Sequence, residues 1–443
     1  MNANSPERTP AEVLVVVGTR PEAIKLLPLI VALQGSPLLS PVVVSTGQHR
    51  DMVTDVLALA GIVPDIELPS PVVHRGLTDI FSTVMTGLES AIAERDAATG
   101  IAPSACIVHG DTSSAAAAAL AAFHRRIPVI HVEAGLRTGD MQSPFPEELN
   151  RQLIARAAAM HFAPTSISKR NLLAEGIDES RILVTGNTGI DALRIAASAP
   201  VTDAVLTALE ATPKRPVVVV TTHRRENWGA PLERIASAVG SIAERHPDSL
   251  VVVAAHPNPA VASVIERTLG GIDNVTITPP MSYAPFAKLL ARADIAITDS
   301  GGIQEEAPSL GTPVLVVRES TERVEGVTAG TLEVVGTDID AIVAAVDRLL
   351  NDPIELAMRR ARRNPYGDGH AADRIVAACE HLLFNTPAPA PFGPSFDRAA
   401  VLRAGGAHDP IALPPLERPS IALPAPRQTV PRRAARSTSM SAA

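Results

Sequence analysis

Short, unbroken runs of valine, isoleucine and other apolar residues recur along the chain, each ending on glycine or a polar residue and each followed by a longer amphipathic stretch. A strand exposed on one face alternates apolar and polar residues. An unbroken run needs apolar cover on both faces, as a parallel strand inside a βαβ unit has. The first set spans 13–18, 41–46, 105–110, 128–134, 160–164 and 181–186. After a helical, proline-marked stretch near 197–216 the pattern restarts at 216–223, 249–256, 274–279, 294–300, 313–318 and 331–336. A chain of 443 residues also exceeds the length over which one core keeps growing. The expected fold is α/β, two Rossmann-like doubly wound domains facing a cleft, over residues 11–196 and 197–386, with a last helix at 369–385 that is free to cross back. Residues 1–10 read as a flexible N-terminus, and 387–443, rich in Pro, Ala and Arg, as a disordered tail.

Composition excludes several classes of function. With 46% hydrophobic and 19% charged residues, the chain reads as soluble and globular. No apolar run reaches membrane-spanning length, and the N-terminus lacks the pattern of a secretory signal, so a cytoplasmic location and no membrane partner are expected. The net charge of -8 and the 2% aromatic content argue against a nucleic-acid partner. Cys106, in a predicted strand, and Cys379, in a predicted helix, suggest neither a disulfide framework nor a metal cluster.

Missing motifs narrow the chemistry further. No G-x-G-x-x-G follows the first strand, and no phosphate-loop, nucleophile-elbow or zinc H-E-x-x-H signature occurs. Asp338 and Asp340 open a predicted helix and read as a cap, not as a metal site.

In open α/β sheets ligands bind beyond the carboxyl ends of the strands, so the residues that finish each strand are the candidates. The first strand runs into GTRPEAIK, where Arg20 and Lys25 flank a helix start marked by Pro21 and suit an anion. HGDTSS and HVEAGLRTGD end strands with Asp111 and Glu133, and SPFPEELNR adds Glu147 and Glu148. Crowded carboxylates suit acid and base work, because repulsion and desolvation separate their pKa values. In the second half THRRENWG, with His223, Arg224 and Asn227, has the donor density of phosphate recognition. In TDSGGIQEEAPSLGTP, Ser300, Gly301 and Gly302 form a small-residue turn whose amides suit a phosphate, and Glu306 lies one turn further, within reach of ribose hydroxyls.

These segments, together with STERVEG and NPYGDGHAADRI, resemble in order and content the non-hydrolysing UDP-N-acetylglucosamine 2-epimerase family, over roughly residues 11–385. The resemblance implies a glycosyltransferase B-like fold, a homodimer, and epimerisation at C2 of UDP-N-acetylglucosamine by elimination and re-addition of UDP, with neither a nicotinamide nor a metal cofactor. It implies acid/base roles for Asp111, Glu133 and Glu147, and places Lys25 and His223 near the departing diphosphate. Arg20, Arg137, Arg224, Asn227, His256, Ser300, Gly301, Gly302, Glu306 and Arg323 become the substrate-binding candidates. Gln48 and His49, in TGQHRDM, resemble part of a second, activating substrate site found in some bacterial members, although Asp51 departs from the usual Gln or Glu.

A retaining glycosyltransferase shares the architecture and would need an acceptor pocket. A hydrolytic relative would add water instead of UDP to the same intermediate. A binding module without catalysis would keep the nucleotide segments and lose the three carboxylates, all of which are present.

Overall fold

The computed structural model describes residues 10–70, 76–211, 215–222, 224–254 and 258–392. Seven parallel strands form the first sheet: β1 Ala11–Val17, β2 Leu39–Ser45, β3 Ile66–Glu67, β4 Ala105–His109, β5 Val129–Val132, β6 Met160–Ala163 and β7 Ile182–Val184. Six form the second: β8 Val217–Thr221, β9 Leu250–Ala254, β10 Val275–Thr278, β11 Ile295–Thr298, β12 Val314–Val316 and β13 Leu332–Val334. The orders are β3-β2-β1-β4-β5-β6-β7 and β10-β9-β8-β11-β12-β13. Both place the first strand of the unit in the middle and reverse direction beside it, the doubly wound arrangement of Rossmann-like domains.

The unbroken apolar runs are explained by burial on both faces. Val13, Val15 and Val17 of β1 point into one core, while Leu14 and Val16 point into another. On β8, Val218 and Val220 face one layer, and Val217 and Val219 the opposite one. The helices of the first half are α1 Arg20–Gly35, α2 Arg50–Ala58, α3 Leu77–Thr99, α4 Ser113–His124, α5 Glu147–Ala157, α6 Ser166–Ala174 and α7 Thr188–Ser198. Then follow α8 Ala204–Glu210, α9 Ala230–Arg245, α10 Pro259–Leu269, α11 Tyr283–Arg292, α12 Gly301–Glu306, α13 Val324–Ala329, α14 Ile339–Asn351, α15 Pro353–Arg360 and α16 Ala371–Phe384. Asp338 accepts a hydrogen bond from Ala341 N at 3.0 Å, the cap expected of it.

α16 lies on the first domain, where Ala372, Ile375, Val376 and Cys379 enter the same core as Val13, Leu26 and Ile30. The packed chain also continues past residue 386. Phe392 is buried against Val184 and Ile182, donates its N–H to Val184 O at 2.8 Å, and has the guanidinium groups of Arg363 and Arg374 over its ring. A disordered stretch starting at 387 is thereby corrected: a large aromatic and two cations fix the chain through Phe392. Residues 1–9 and 393–443 lie outside the described residues. Among the described residues no helix is long and apolar enough to cross a membrane.

Candidate active site

Strand order reverses between β1 and β4 in the first sheet and between β8 and β11 in the second, opening a crevice at each carboxyl edge. The segments singled out in the sequence leave those strand ends. β1 delivers Gly18, Thr19 and the first turns of α1, β4 delivers Gly110 and Asp111, and β5 delivers Glu133.

Glu133 is the centre of the first-domain cluster. Lys25 Nζ donates to its Oε1, and His109 Nε2 lies 3.6 Å from its Oε2. Its backbone φ of 62° is in the left-handed region that a residue with a side chain adopts only at a cost, so the surrounding structure forces this carboxylate into place. Gly110, at φ 64° in the left-handed region that favours glycine, lies beside it: a Cβ there would stand 3.5 Å from Glu133 Oε2. Burial alone would raise the Glu133 pKa, but Lys25 and His109 outweigh it and hold the carboxyl well below the usual range. Burial would lower the Lys25 pKa, and the carboxylates of Glu133, Glu305 and Glu306 raise it instead. His109 is buried, its Nε2 otherwise unpartnered among the described residues, and burial pushes its pKa down to about 4, so the ring is neutral at pH 7.

Asp111 accepts from Arg151 Nε at 2.9 Å and Nη2 at 2.7 Å, and its backbone carbonyl accepts from Asn150 Nδ2 at 2.8 Å. Its pKa is raised by burial in spite of Arg151. Glu148 is buried and takes the backbone N–H groups of Thr138 and Gly139 and the Arg151 guanidinium, which makes it a structural member of the group. Glu147, first residue of α5, keeps a buried Oε2 without a partner among the described residues.

The second domain meets this cluster directly. A Cβ at Gly189, in α7, would stand 3.5 Å from Glu306 Oε1 and 3.6 Å from Lys25 Cε, so residues of α1, α7 and α12 converge. Burial pushes the Glu306 pKa up to about 8, with Lys25 opposing. Glu305 accepts from Asn187 Nδ2 at 2.5 Å and Arg323 Nε at 2.9 Å, bridging the N-cap of α7 to the loop after β12. The Arg323 guanidinium lies against Gly301, where a Cβ would come within 2.9 Å of it. Arg224 donates its N–H to Asp299 Oδ2 at 3.1 Å, and Asn227 gives its amide to the same oxygen at 2.9 Å and to Val317 O at 3.1 Å. Asn227, buried and so engaged, braces the loop from within.

Not every sequence candidate joins the cluster. Arg137 is held by Glu175 through bonds of 2.5 and 2.9 Å. Arg20 opens α1, Gln48 accepts from Ser114 Oγ at 2.6 Å, and His49 is exposed at the start of α2. His223 and His256 lie outside the described residues. Conversely, His109, Arg151, Asn187 and Glu22 were not among the sequence candidates, although three of them sit within or beside quoted motifs. Only His109, two positions before the strand-end carboxylate of Asp111, carried a local signal.

Two doubly wound domains whose strand ends bring cations and carboxylates together define a two-domain α/β protein with a Rossmann-like, glycosyltransferase B-like fold. The family model for UDP-N-acetylglucosamine 2-epimerase matches residues 31–380. The UDP-N-acetylglucosamine 2-epimerase of Escherichia coli K12 is 47% identical over 385 residues, covering 84% of this chain and 98% of that one. The protein of the same name from Bacillus subtilis is 44% identical over 378 residues, with 84% and 95% covered. Among solved structures, UDP-GlcNAc 2-epimerase from Neisseria meningitidis bound to UDP-GlcNAc superposes with a TM-score of 0.72 at 40% identity, covering 84% of this chain and 99% of that one. The chain belongs to the UDP-N-acetylglucosamine 2-epimerase family and is an isomerase by class.

Proposed function

We propose that the protein interconverts UDP-N-acetylglucosamine and UDP-N-acetylmannosamine. The observation that carries this reading is the Lys25–Glu133 pair, set beside Asp111 on one sheet and facing Glu306 and the Ser300–Gly302 turn of the other, in a chain of this family. A base removes the proton from C2 while the C1–oxygen bond breaks, its electrons leaving with UDP and a C1–C2 double bond forming. Re-addition returns a proton to the opposite face of C2 and the UDP oxygen to C1. The C2 proton is weakly acidic, so removal must be concerted with stabilisation of the departing diphosphate.

In this assignment Glu133, kept ionised by Lys25, is suited to accept a proton, and Asp111, with its raised pKa, to deliver one. Glu147 is the third acid/base group. Lys25, Arg20, Arg224, His223, Arg323 and the Ser300, Gly301 and Gly302 amides receive the diphosphate. Glu306 takes the ribose, Arg137 and His256 complete the contacts, and Asn227 braces them. Gln48 and His49 belong to a second substrate site. The enzyme acts as a cytoplasmic homodimer without cofactor or metal and supplies a bacterial surface polysaccharide.

The test is proton NMR of purified protein with UDP-N-acetylglucosamine in D2O. UDP-N-acetylmannosamine deuterated at C2 is the expected product. Free sugar with UDP would replace this reading by hydrolysis, and an unchanged, undeuterated substrate would overturn it.

A further inference from the structure

The carboxylate of Glu22 is absent from the assignment above, yet it is 3% exposed at the centre of the catalytic edge. It occupies the third position of α1, where a glutamate ordinarily reaches back to cap its own helix start. One oxygen does so: Oε2 accepts from Thr19 N at 2.6 Å, Gly18 N at 3.1 Å and Thr19 Oγ1 at 2.9 Å. The other leaves the helix. Oε1 accepts from Thr112 Oγ1 at 2.7 Å, 90 positions along the chain. Thr112 is the N-cap of α4, its Oγ1 accepting from Ala115 N at 3.0 Å, and it directly follows Asp111.

One buried carboxylate therefore ties the turn that carries Arg20 and Lys25 to the turn that carries Asp111. The two turns are also in close contact, since a Cβ at Gly18 would come within 2.8 Å of Ser114 Cβ. A cap that only served the start of α1 would need neither Oε1 nor Thr112. We propose that Glu22 is a positioning residue: through Thr112 it fixes the distance between the Lys25–Glu133 pair and Asp111, and so the geometry of proton transfer. The inference rests on the epimerase reading. Positioning errors of about an ångström cost on the order of 100-fold in rate, while binding contacts elsewhere survive.

The experiment compares Glu22→Gln, Thr112→Ala, Thr112→Ser and the double variant Glu22→Gln/Thr112→Ala by kcat, KM and the pH dependence of kcat, with melting curves to verify folding. Glu22→Gln and Thr112→Ala should each lower kcat about 10- to 100-fold with KM changed less than about threefold. Thr112→Ser keeps the hydroxyl and should restore kcat to within about threefold. The double variant should be no slower than the worse single one, because both changes cut the same link. The limb of the pH profile that reports Asp111 should shift in the variants. Wild-type kcat in folded Glu22→Gln, or fully additive losses, would overturn the proposal. If Glu22→Gln does not fold, equal kcat in the Thr112→Ala and Thr112→Ser proteins would overturn it instead. A wild-type protein without turnover would remove the epimerase reading and this inference together, whereas an active wild type with unaffected variants would remove the inference alone.

Discussion

Lys25 and Glu133, 108 positions apart in sequence, form an ion pair at the carboxyl edge of the first sheet, with His109 on the free carboxylate oxygen. Lysine supplies the counter-charge that burial of the carboxylate requires. Replacing Lys25 by Met should raise the Glu133 pKa toward and above its ordinary value. The acid limb of the pH profile of kcat/KM should then move to higher pH, and an unmoved limb would show that Lys25 does not set the state of Glu133.

Removing the carboxylates one at a time separates chemistry from binding. Asp111→Asn, Glu133→Gln and Glu147→Gln should each lower kcat by roughly 100- to 10,000-fold, the usual worth of an acid or base. UDP binding by calorimetry should be unchanged to within a few-fold. Normal turnover in all three would reject the site.

Glu306 should behave in the opposite way. Removing one partner of a buried hydrogen bond and leaving the other unsatisfied costs about 1–3 kcal/mol, so Glu306→Ala should weaken UDP binding about 5- to 150-fold while kcat at saturation falls little. An unchanged dissociation constant would separate Glu306 from the nucleotide.

His161 is fully buried with neither ring nitrogen partnered among the described residues, and burial, aided by His131, pushes its pKa down to about 3. The unfolded chain takes up that proton near pH 6.5. The stability contributed by the neutral ring is therefore fully present above pH 6.5 and lost as pH falls toward 3. At pH 5 the loss amounts to about 2 kcal/mol. In His161→Leu this dependence disappears, so the melting temperature of the variant relative to wild type should improve between pH 8 and pH 5. A difference independent of pH would refute the assignment.

Phe392→Ala should destabilise the protein by about 3–5 kcal/mol, because it empties a site between β6, β7 and two arginine side chains. Urea denaturation measures it, and a change below about 1 kcal/mol would mean that the segment past α16 contributes little.

The fold was legible where the physics is local. The apolar runs marked nearly every strand because each is covered on both faces, and β3 was missed because its pairing rests on two residues, Ile66 and Glu67. At the candidate site, Asp111 and Glu133 stood out because they follow strand ends, and Lys25 because it lies in the first turns of the helix after β1. Their partners were not legible: Glu22 reads as an ordinary cap, His109 as a strand residue and Asn187 as the start of a helix. Each acquires its role from a neighbour 24 to 118 positions away, here Glu133, Thr112 and Glu305, and no local pattern records such a pairing. Phe392 escaped for a related reason, since one aromatic in a Pro- and Ala-rich stretch carries no periodicity.

The placement of α16 sets an order of assembly. All seven strands of the first sheet have been made by residue 184, but the layer over α1 stays open until Ala372 to Cys379 arrive. Chains emerging from a ribosome fold in the order of their synthesis, domain by domain. Here the sheet made first must wait, its apolar flank bare, while the whole of the second sheet is translated and is free to fold. The half of the molecule that begins the chain is thus the half whose apolar layer is completed last, by residues made after the whole of the second sheet.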